Sequence, residues 1–207
     1  MGGVDLRLME GIMSLSCSLI EVDDSILIVV DVQQEFLDKL PEDEGAGLVT
    51  RIGWLVGVAT RLGVPLVVTA EDIPHSGSVV PAIAQRLPPG TPIYDKRTFE
   101  LTADPEIRAA VRSSGRGTAI LVGLETDVCI AHSAIGLLQL GYQVAVVADG
   151  TASPGTGHTF GLERMHGAGA VITSVKGLYY EWMRTVEGDK RFAEQYEQEL
   201  GDPGVGL

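Results

Sequence analysis

The sequence predicts an open, doubly wound α/β fold, a mainly parallel sheet with helices packed on both faces. Three observations lead there. Apolar, β-branched runs without polar alternation recur along the chain, as in Ser25-Ile-Leu-Ile-Val-Val-Asp31, which is how strands buried on both faces read. Segments with apolar residues at helical spacing separate these runs, so the connections are crossovers rather than hairpins. At 207 residues and 45% hydrophobic, the chain can bury one full core and requires no second domain.

In chain order, residues 1–24 are expected to form an N-terminal extension ahead of a domain over residues 25–207. Gly11 to Ile20 is fairly apolar, but Asp5, Arg7 and Glu10 nearly cancel and Ser14, Ser16 and Ser18 interrupt it, which does not fit a secretory signal. After the first strand, Leu48, Ile52, Leu55, Val56 and Ala59 mark a helix from Gly47 to Leu62 that Gly63 stops. Val64 to Thr69 is a second strand, and a loop with Pro74, Gly77 and Pro81 leads to a short helix around Ala82 to Leu87. Pro92 to Lys96 is a short extended piece. Asp104-Pro105 reads as an N-cap with proline at the first helical position, opening a helix to about Ser113.

Ala119 to Val122 is the next strand, Gly123 to Thr126 a tight turn, and Cys129 falls in the first turn of a helix that runs to Leu140 and stops at Gly141. Tyr142 to Ala148 is a strand, Asp149-Gly150 a turn, Thr156 to His166 a helix and Ala170 to Thr173 a last strand. Helical segments follow near Leu178 to Thr185 and Asp189 to Leu200.

Composition narrows the function. Lys+Arg 15 against Asp+Glu 28 gives −13 at pH 7, which repels phosphate backbones and anionic membrane surfaces, so no nucleic acid and no membrane are expected as partners. Two distant cysteines, Cys17 and Cys129, make no disulfide framework, and a cytoplasmic location fits. No apolar run approaches the ~18 residues of a membrane span.

In sheets of this kind ligands bind beyond the carboxyl ends of the strands. Asp31 ends the first strand, Lys96 follows the short extended piece, and Cys129 opens the helix after the Ala119 strand. A carboxylate can take a thiol proton, an ammonium can stabilise the thiolate, and the N–H groups of a helix start can hold an oxyanion. Each residue also has a plainer reading: Asp31 as a helix cap, Lys96 as a solvated side chain, Cys129 as apolar filler. Their joint occurrence favours chemistry.

Asp31-Val32-Gln33, Lys96 with Thr98-Phe99, and Gly123-Leu-Glu-Thr-Asp-Val-Cys129-Ile130 resemble the isochorismatase-like superfamily of cysteine hydrolases. The likeness spans roughly Ser25 to Lys190, and Phe160-Gly-Leu-Glu-Arg-Met165 is most similar to the isochorismatase domain-containing branch. The resemblance implies a Rossmann-like three-layer α/β/α fold with a six-stranded sheet and a catalytic set of Asp31, Lys96 and Cys129. It also implies a cis peptide at Leu124-Glu125 that turns the Glu125 N–H toward the Cys129 N–H as an oxyanion hole. Amide hydrolysis through a thioester follows, with Asp31 as the base and no cofactor.

Nicotinamidases of the superfamily hold a metal, but Thr69-Ala-Glu-Asp-Ile-Pro-His75 offers a single histidine, so no metal is expected. Gln33, Phe36 and Phe99 are the substrate-binding candidates for a small-molecule pocket, either phenylalanine being equally readable as core. Related proteins are commonly dimers or tetramers, so a homo-oligomer is expected. Cleavage of a vinyl ether with Asp31 as the acid, and a non-catalytic binding protein, stay open as alternatives.

Overall fold

The computed structural model describes residues 19–207. Six strands, β1 (Ser25–Val30), β2 (Leu66–Glu71), β3 (Ile93–Lys96), β4 (Thr118–Leu124), β5 (Gln143–Ala152) and β6 (Val171–Thr173), form one sheet in the order β3-β2-β1-β4-β5-β6. Every neighbouring pair is parallel. The helices are α1 (Gln34–Leu37), α2 (Glu42–Arg61), α3 (Ile73–Ser76), α4 (Pro81–Ala84), α5 (Pro105–Ser113), α6 (Ala131–Gln139), α7 (Gly157–Gly167), α8 (Val175–Met183) and α9 (Val186–Leu200).

Strand periodicity divides the core. Leu27 and Val29 of β1 face one side, where they join Ile52 and Leu55 of α2 and Leu178 and Trp182 of α8. Ile26, Ile28 and Val30 face the other, with Ile107 of α5, Leu137 of α6 and Met165 of α7. All six residues of β1 and all seven of β4 are buried, which explains their unbroken apolar character. The result is the expected three-layer, Rossmann-like α/β/α fold with a six-stranded sheet.

Strand order reverses between β1 and β4, so the crevice at their carboxyl ends is the topological switch point where open α/β sheets bind ligands. Local signals place the flanking helices. Asp104 caps α5, its carboxylate accepting from the Glu106 and Ile107 N–H groups at 2.8 and 3.2 Å. Glu42, Asp43 and Glu44 fill the first turn of α2, where negative charge complements the helix dipole.

Several boundaries differ from the sequence reading. Helix α2 starts five residues early, because its polar first turn carries no apolar periodicity. β2 runs to Glu71 rather than Thr69, its last pairs being Ala70 with Asp95 and Glu71 with Lys96 of β3. Asp149-Gly150 is not a free turn but part of β5, where the register to β4 slips from Leu121–Val146 to Gly123–Thr151. Cys129 lies in a π-helical turn, Thr126–Ile130, immediately before α6. The packed body also begins earlier than residue 25: Ile20 is buried, and the Asp24 carboxylate accepts from Gly117 N–H at 2.8 Å and the Thr118 hydroxyl at 2.9 Å. The rest of the expected extension, with Cys17, lies outside the described residues.

Gly123 is the tightest point of the sheet at the switch. Its φ of +123° suits only glycine, and an added Cβ would stand 2.8 Å from the Val30 carbonyl carbon and 2.9 Å from the Val30 nitrogen, in backbone that cannot yield. Gly123→Ala is therefore expected to cost at least about 2 kcal/mol, from dihedral strain and overlap together. Urea unfolding of the variant beside the wild type measures this; a midpoint shift with unchanged slope is the expected form.

Candidate active site

Four side chains converge at the carboxyl edge of β1, β2, β3 and the turn after β4. Asp31, directly after β1, has a φ of +51°, a left-handed conformation that Asp tolerates better than most residues. Its backbone is held on both sides, its N–H donating to the Thr69 carbonyl at 3.1 Å and its carbonyl accepting from Gln33 N–H at 2.8 Å. One carboxylate oxygen accepts from the Thr69 hydroxyl at 2.8 Å, and the other faces the Lys96 ammonium at 2.9 Å.

Lys96 ends β3 and is fully buried. Its Nζ donates to the Thr98 carbonyl at 2.8 Å, and lies 3.3 Å from Glu71 Oε2 and 3.5 Å from Cys129 Sγ. Cys129 is 4% exposed, and its thiol donates to Glu71 Oε2 at 3.3 Å. The structure therefore brings Asp31, Lys96 and Cys129 together, and adds Glu71.

Charge and burial oppose each other here. Burial raises the Asp31 carboxyl above the ordinary carboxylate range, with Lys96 pulling the other way. Burial pushes the Lys96 ammonium down, but the Asp31, Cys129 and Glu71 charges outweigh it and leave the lysine above its usual value. Cys129 is pushed well up, first by burial and then by the Asp31 charge, so the resting group is a thiol. Ligand atoms of Asp31, Glu71 and Cys129 lie within 4.8 Å of one another, a spacing that suits a cation. The Lys96 ammonium, within 3.5 Å of all three residues, supplies that positive charge.

The Leu124–Glu125 peptide is cis. The Glu125 carbonyl accepts from the Val128 and Ile130 N–H groups at 3.2 and 3.1 Å, which fixes the turn bearing Cys129. The Glu125 carboxylate pairs with Lys39 at 2.9 Å, and the same ammonium lies 4.7 Å from the centre of the Phe36 ring. Phe36 thus stands beside this turn, half-buried. Phe99 is 54% exposed and meets His132 edge-on at 6.3 Å, so it is not core.

Gln33 departs from its expected role. It is fully buried, and its amide oxygen accepts from Glu71 N–H at 2.7 Å while its nitrogen donates to the Glu71 and Gly77 carbonyls at 2.8 Å each. Those bonds occupy the amide, so Gln33 holds Glu71 rather than a ligand. Glu71 lies beyond the apolar run, which stops at Thr69; the sequence signal for it is strand alternation, which puts Glu71 on the face of Thr69.

A model of the isochorismatase domain matches residues 25–177. The chain belongs to the isochorismatase family of hydrolases. It is 32% identical over 165 residues, 76% of each chain, to the secreted isochorismatase effector Isc1 of Phytophthora sojae. Its fold superposes on the MAR1 ribonuclease of Caenorhabditis elegans with a TM-score of 0.78 at 26% identity, covering 92% of this chain and 98% of that one. At lower identity the same fold is found in YcaC of Escherichia coli, an octameric hydrolase of unknown specificity (TM-score 0.76, 21% identity, 89% and 93% covered). N-carbamoylsarcosine amidase of Thermoplasma acidophilum shares it too (TM-score 0.62, 21% identity, 73% and 96% covered).

In this isochorismatase domain, removing the central cation leaves two carboxylates facing each other. Lys96→Met is expected to cost about 3–5 kcal/mol at neutral pH, the usual penalty for an orphaned buried charge. The sign with pH is fixed by Asp31. A carboxyl whose folded pKa is raised binds its proton more tightly folded than unfolded, so the variant loses stability as pH rises through the carboxylate range and regains it on acidification. Denaturation midpoints at pH 5 and pH 8 test this, the gap to wild type being smaller at pH 5.

Proposed function

We propose that this protein is a cysteine-dependent hydrolase that cleaves a small amide through a thioester, with Asp31, Lys96 and Cys129 as catalytic residues. The observation that carries the reading is the buried Lys96 ammonium, 2.9 Å from Asp31 and 3.5 Å from Cys129. An ammonium so placed steadies a thiolate that burial otherwise opposes, and Asp31 keeps the ammonium charged and aimed.

In the forward step the thiol proton passes to a carboxylate of the site and sulfur attacks the amide carbonyl. The oxyanion is held by the Glu125 and Cys129 backbone N–H groups. The C–N bond then breaks, the departing nitrogen takes the proton, and a thioester remains on Cys129. Water attacks the thioester carbonyl, giving the acid and regenerating the thiol. All groups in the cycle are the chain's own apart from substrate and water.

The substrate is small and carries no polyanion, since the chain bears −13 and the site holds two carboxylates against one ammonium. Phe36, beside the Lys39 that pairs with Glu125, and the exposed Phe99 are the candidates for the site's apolar walls. That N-carbamoylsarcosine amidase has this fold supports amide chemistry. A homo-oligomer belongs to the same reading, supported by octameric YcaC and by the exposed Phe99 and Phe160. A second reading has one observation in its favour: burial raises the Asp31 carboxyl, which suits it to protonate a vinyl ether without the thiol.

Cys129→Ala separates the two. Under the thioester reading the variant loses at least about 1,000-fold in turnover of small amides, and rapid quench of the wild type followed by mass spectrometry finds an acyl adduct on Cys129. Full turnover by Cys129→Ala with an inactive Asp31→Asn would establish the vinyl ether reading instead. Asp31 acts ionised in the thioester cycle and its pKa is raised, so kcat/KM falls on acidification at a pH above the ordinary carboxylate value of about 4. A pH–rate profile whose acid limb lies at or below that value contradicts the assignment.

A further inference from the structure

Among the described residues, two side chains stand within hydrogen-bonding distance of the Cys129 sulfur. The Lys96 ammonium, at 3.5 Å, is fully buried and can only donate; the Glu71 carboxylate, at 3.3 Å, accepts, and its side chain is 24% exposed. The Asp31 carboxylate is fully buried, one oxygen taken by the Thr69 hydroxyl and the other facing Lys96 at 2.9 Å. Glu71 is therefore the carboxylate of this site that an incoming ligand can reach. We propose that Glu71 is a substrate-binding, specificity-determining residue that accepts a hydrogen bond from the N–H of the scissile amide. The substrate class is then amides and ureas with at least one hydrogen on the cleaved nitrogen, and esters are rejected. This rests on the thioester reading and narrows its substrate; the thiol proton still passes to Asp31.

The sulfur's surroundings place the nitrogen. When sulfur closes on a carbonyl carbon, the nitrogen bonded to that carbon also becomes a near neighbour of the sulfur. With the carbonyl oxygen on backbone N–H groups, an N–H on that nitrogen needs an acceptor beside the sulfur, and the Glu71 carboxylate is there. It has capacity to spare. Its contacts with Lys96 and Cys129 both use Oε2, and among the described residues Oε1 has no hydrogen-bond partner.

The acceptor is also set in advance. Gln33 holds both the N–H and the carbonyl of Glu71, and Glu71 is the register partner of Lys96 across β2 and β3, so no ordering of its backbone is needed when a ligand arrives. Charge makes the contact selective. An N–H directed at a carboxylate forms a charge-assisted hydrogen bond. An ester oxygen in the same place turns lone pairs toward the carboxylate and makes no bond, and two carboxylates against one ammonium add to that repulsion.

The test compares Cys129 alkylation at neutral pH by two reagents of the same shape, 2-iodo-N-methylacetamide, which has an N–H, and methyl iodoacetate, which has none. Peptide mass spectrometry separates Cys129 from Cys17, and dividing each rate by that of glutathione with the same reagent removes intrinsic reactivity. Wild type is expected to favour the N–H reagent by at least about 10-fold after this correction. In Glu71→Met and Glu71→Leu, apolar side chains of similar size, the ratio falls to that of glutathione. A general change in thiol reactivity cancels, since both reagents meet the same sulfur. Melting curves establish which variants are folded, and either folded variant decides. A wild-type ratio equal to that of glutathione, or a preference that survives in a folded variant, overturns the proposal. Because no turnover is needed, the two readings fail separately. Acyl adducts on Cys129 from amides, without the N–H preference, keep the thioester reading and sink the Glu71 assignment. A Glu71-dependent preference in a protein that forms no acyl adduct with any amide keeps Glu71 as an N–H acceptor and sinks the thioester reading.

Discussion

Everything at this site depends on one buried ammonium. Lys96 has no exposed surface, and keeping its charge there without partners would cost several kcal/mol, a large share of the stability of an ordinary domain. It is tolerated because Asp31, Glu71, the Thr98 carbonyl and the Cys129 sulfur surround it at 2.8 to 3.5 Å. The constraint acts in both directions. Two carboxylates this close would repel each other without the lysine, and the thiol would have no positive charge to stabilise its anion. Each member is held by the others, so the cluster behaves as a unit.

The parallel sheet is what makes the unit possible. Adjacent strands that run the same way deliver their carboxyl ends to the same edge; β3, β2 and β1 contribute Lys96, Glu71 and Asp31 at or just after their last residue, and the turn after β4 contributes Cys129. Lys96 and Glu71 are paired in register, and Asp31 follows Val30, the residue opposite both Thr69 and Gly123. Close approach at Gly123 then brings the Cys129 turn down onto β1. Packing deep in the core thus fixes a geometry at the rim, where side chains alone would have several rotamers.

This dependence also explains what the sequence reveals. Asp31, Lys96 and Cys129 were legible because each stands where an apolar run ends, and a charged or reactive residue at such a point is conspicuous. Glu71 is not: the apolar run ends at Thr69, and the two further residues of β2 are set by pairing with Asp95 and Lys96, a tertiary contact with no local signature. The same cause hides the contacts of Gln33, whose partners are backbone groups 38 and 44 positions away. The β5 bulge went unread because Asp149-Gly150 has turn chemistry, and only the register with β4 shows that the strand continues. Helix α5 was placed correctly from Asp104-Pro105 because its cap is local.

A site in which the reactive sulfur rests as a thiol has a consequence for selectivity. A preformed thiolate reacts with any electrophile that reaches it; a buried thiol becomes nucleophilic only when its proton has somewhere to go. At 4% exposure Cys129 offers little surface, and the Glu71 carboxylate stands 3.3 Å from its sulfur. On the proposed thioester reading, reactivity is therefore coupled to occupancy. A substrate that excludes water from this edge strengthens the attraction between Lys96 and the developing thiolate, because the same charges act across a lower dielectric. Under the proposed thioester reading, the burial that raises the thiol reserves the sulfur for a bound carbonyl.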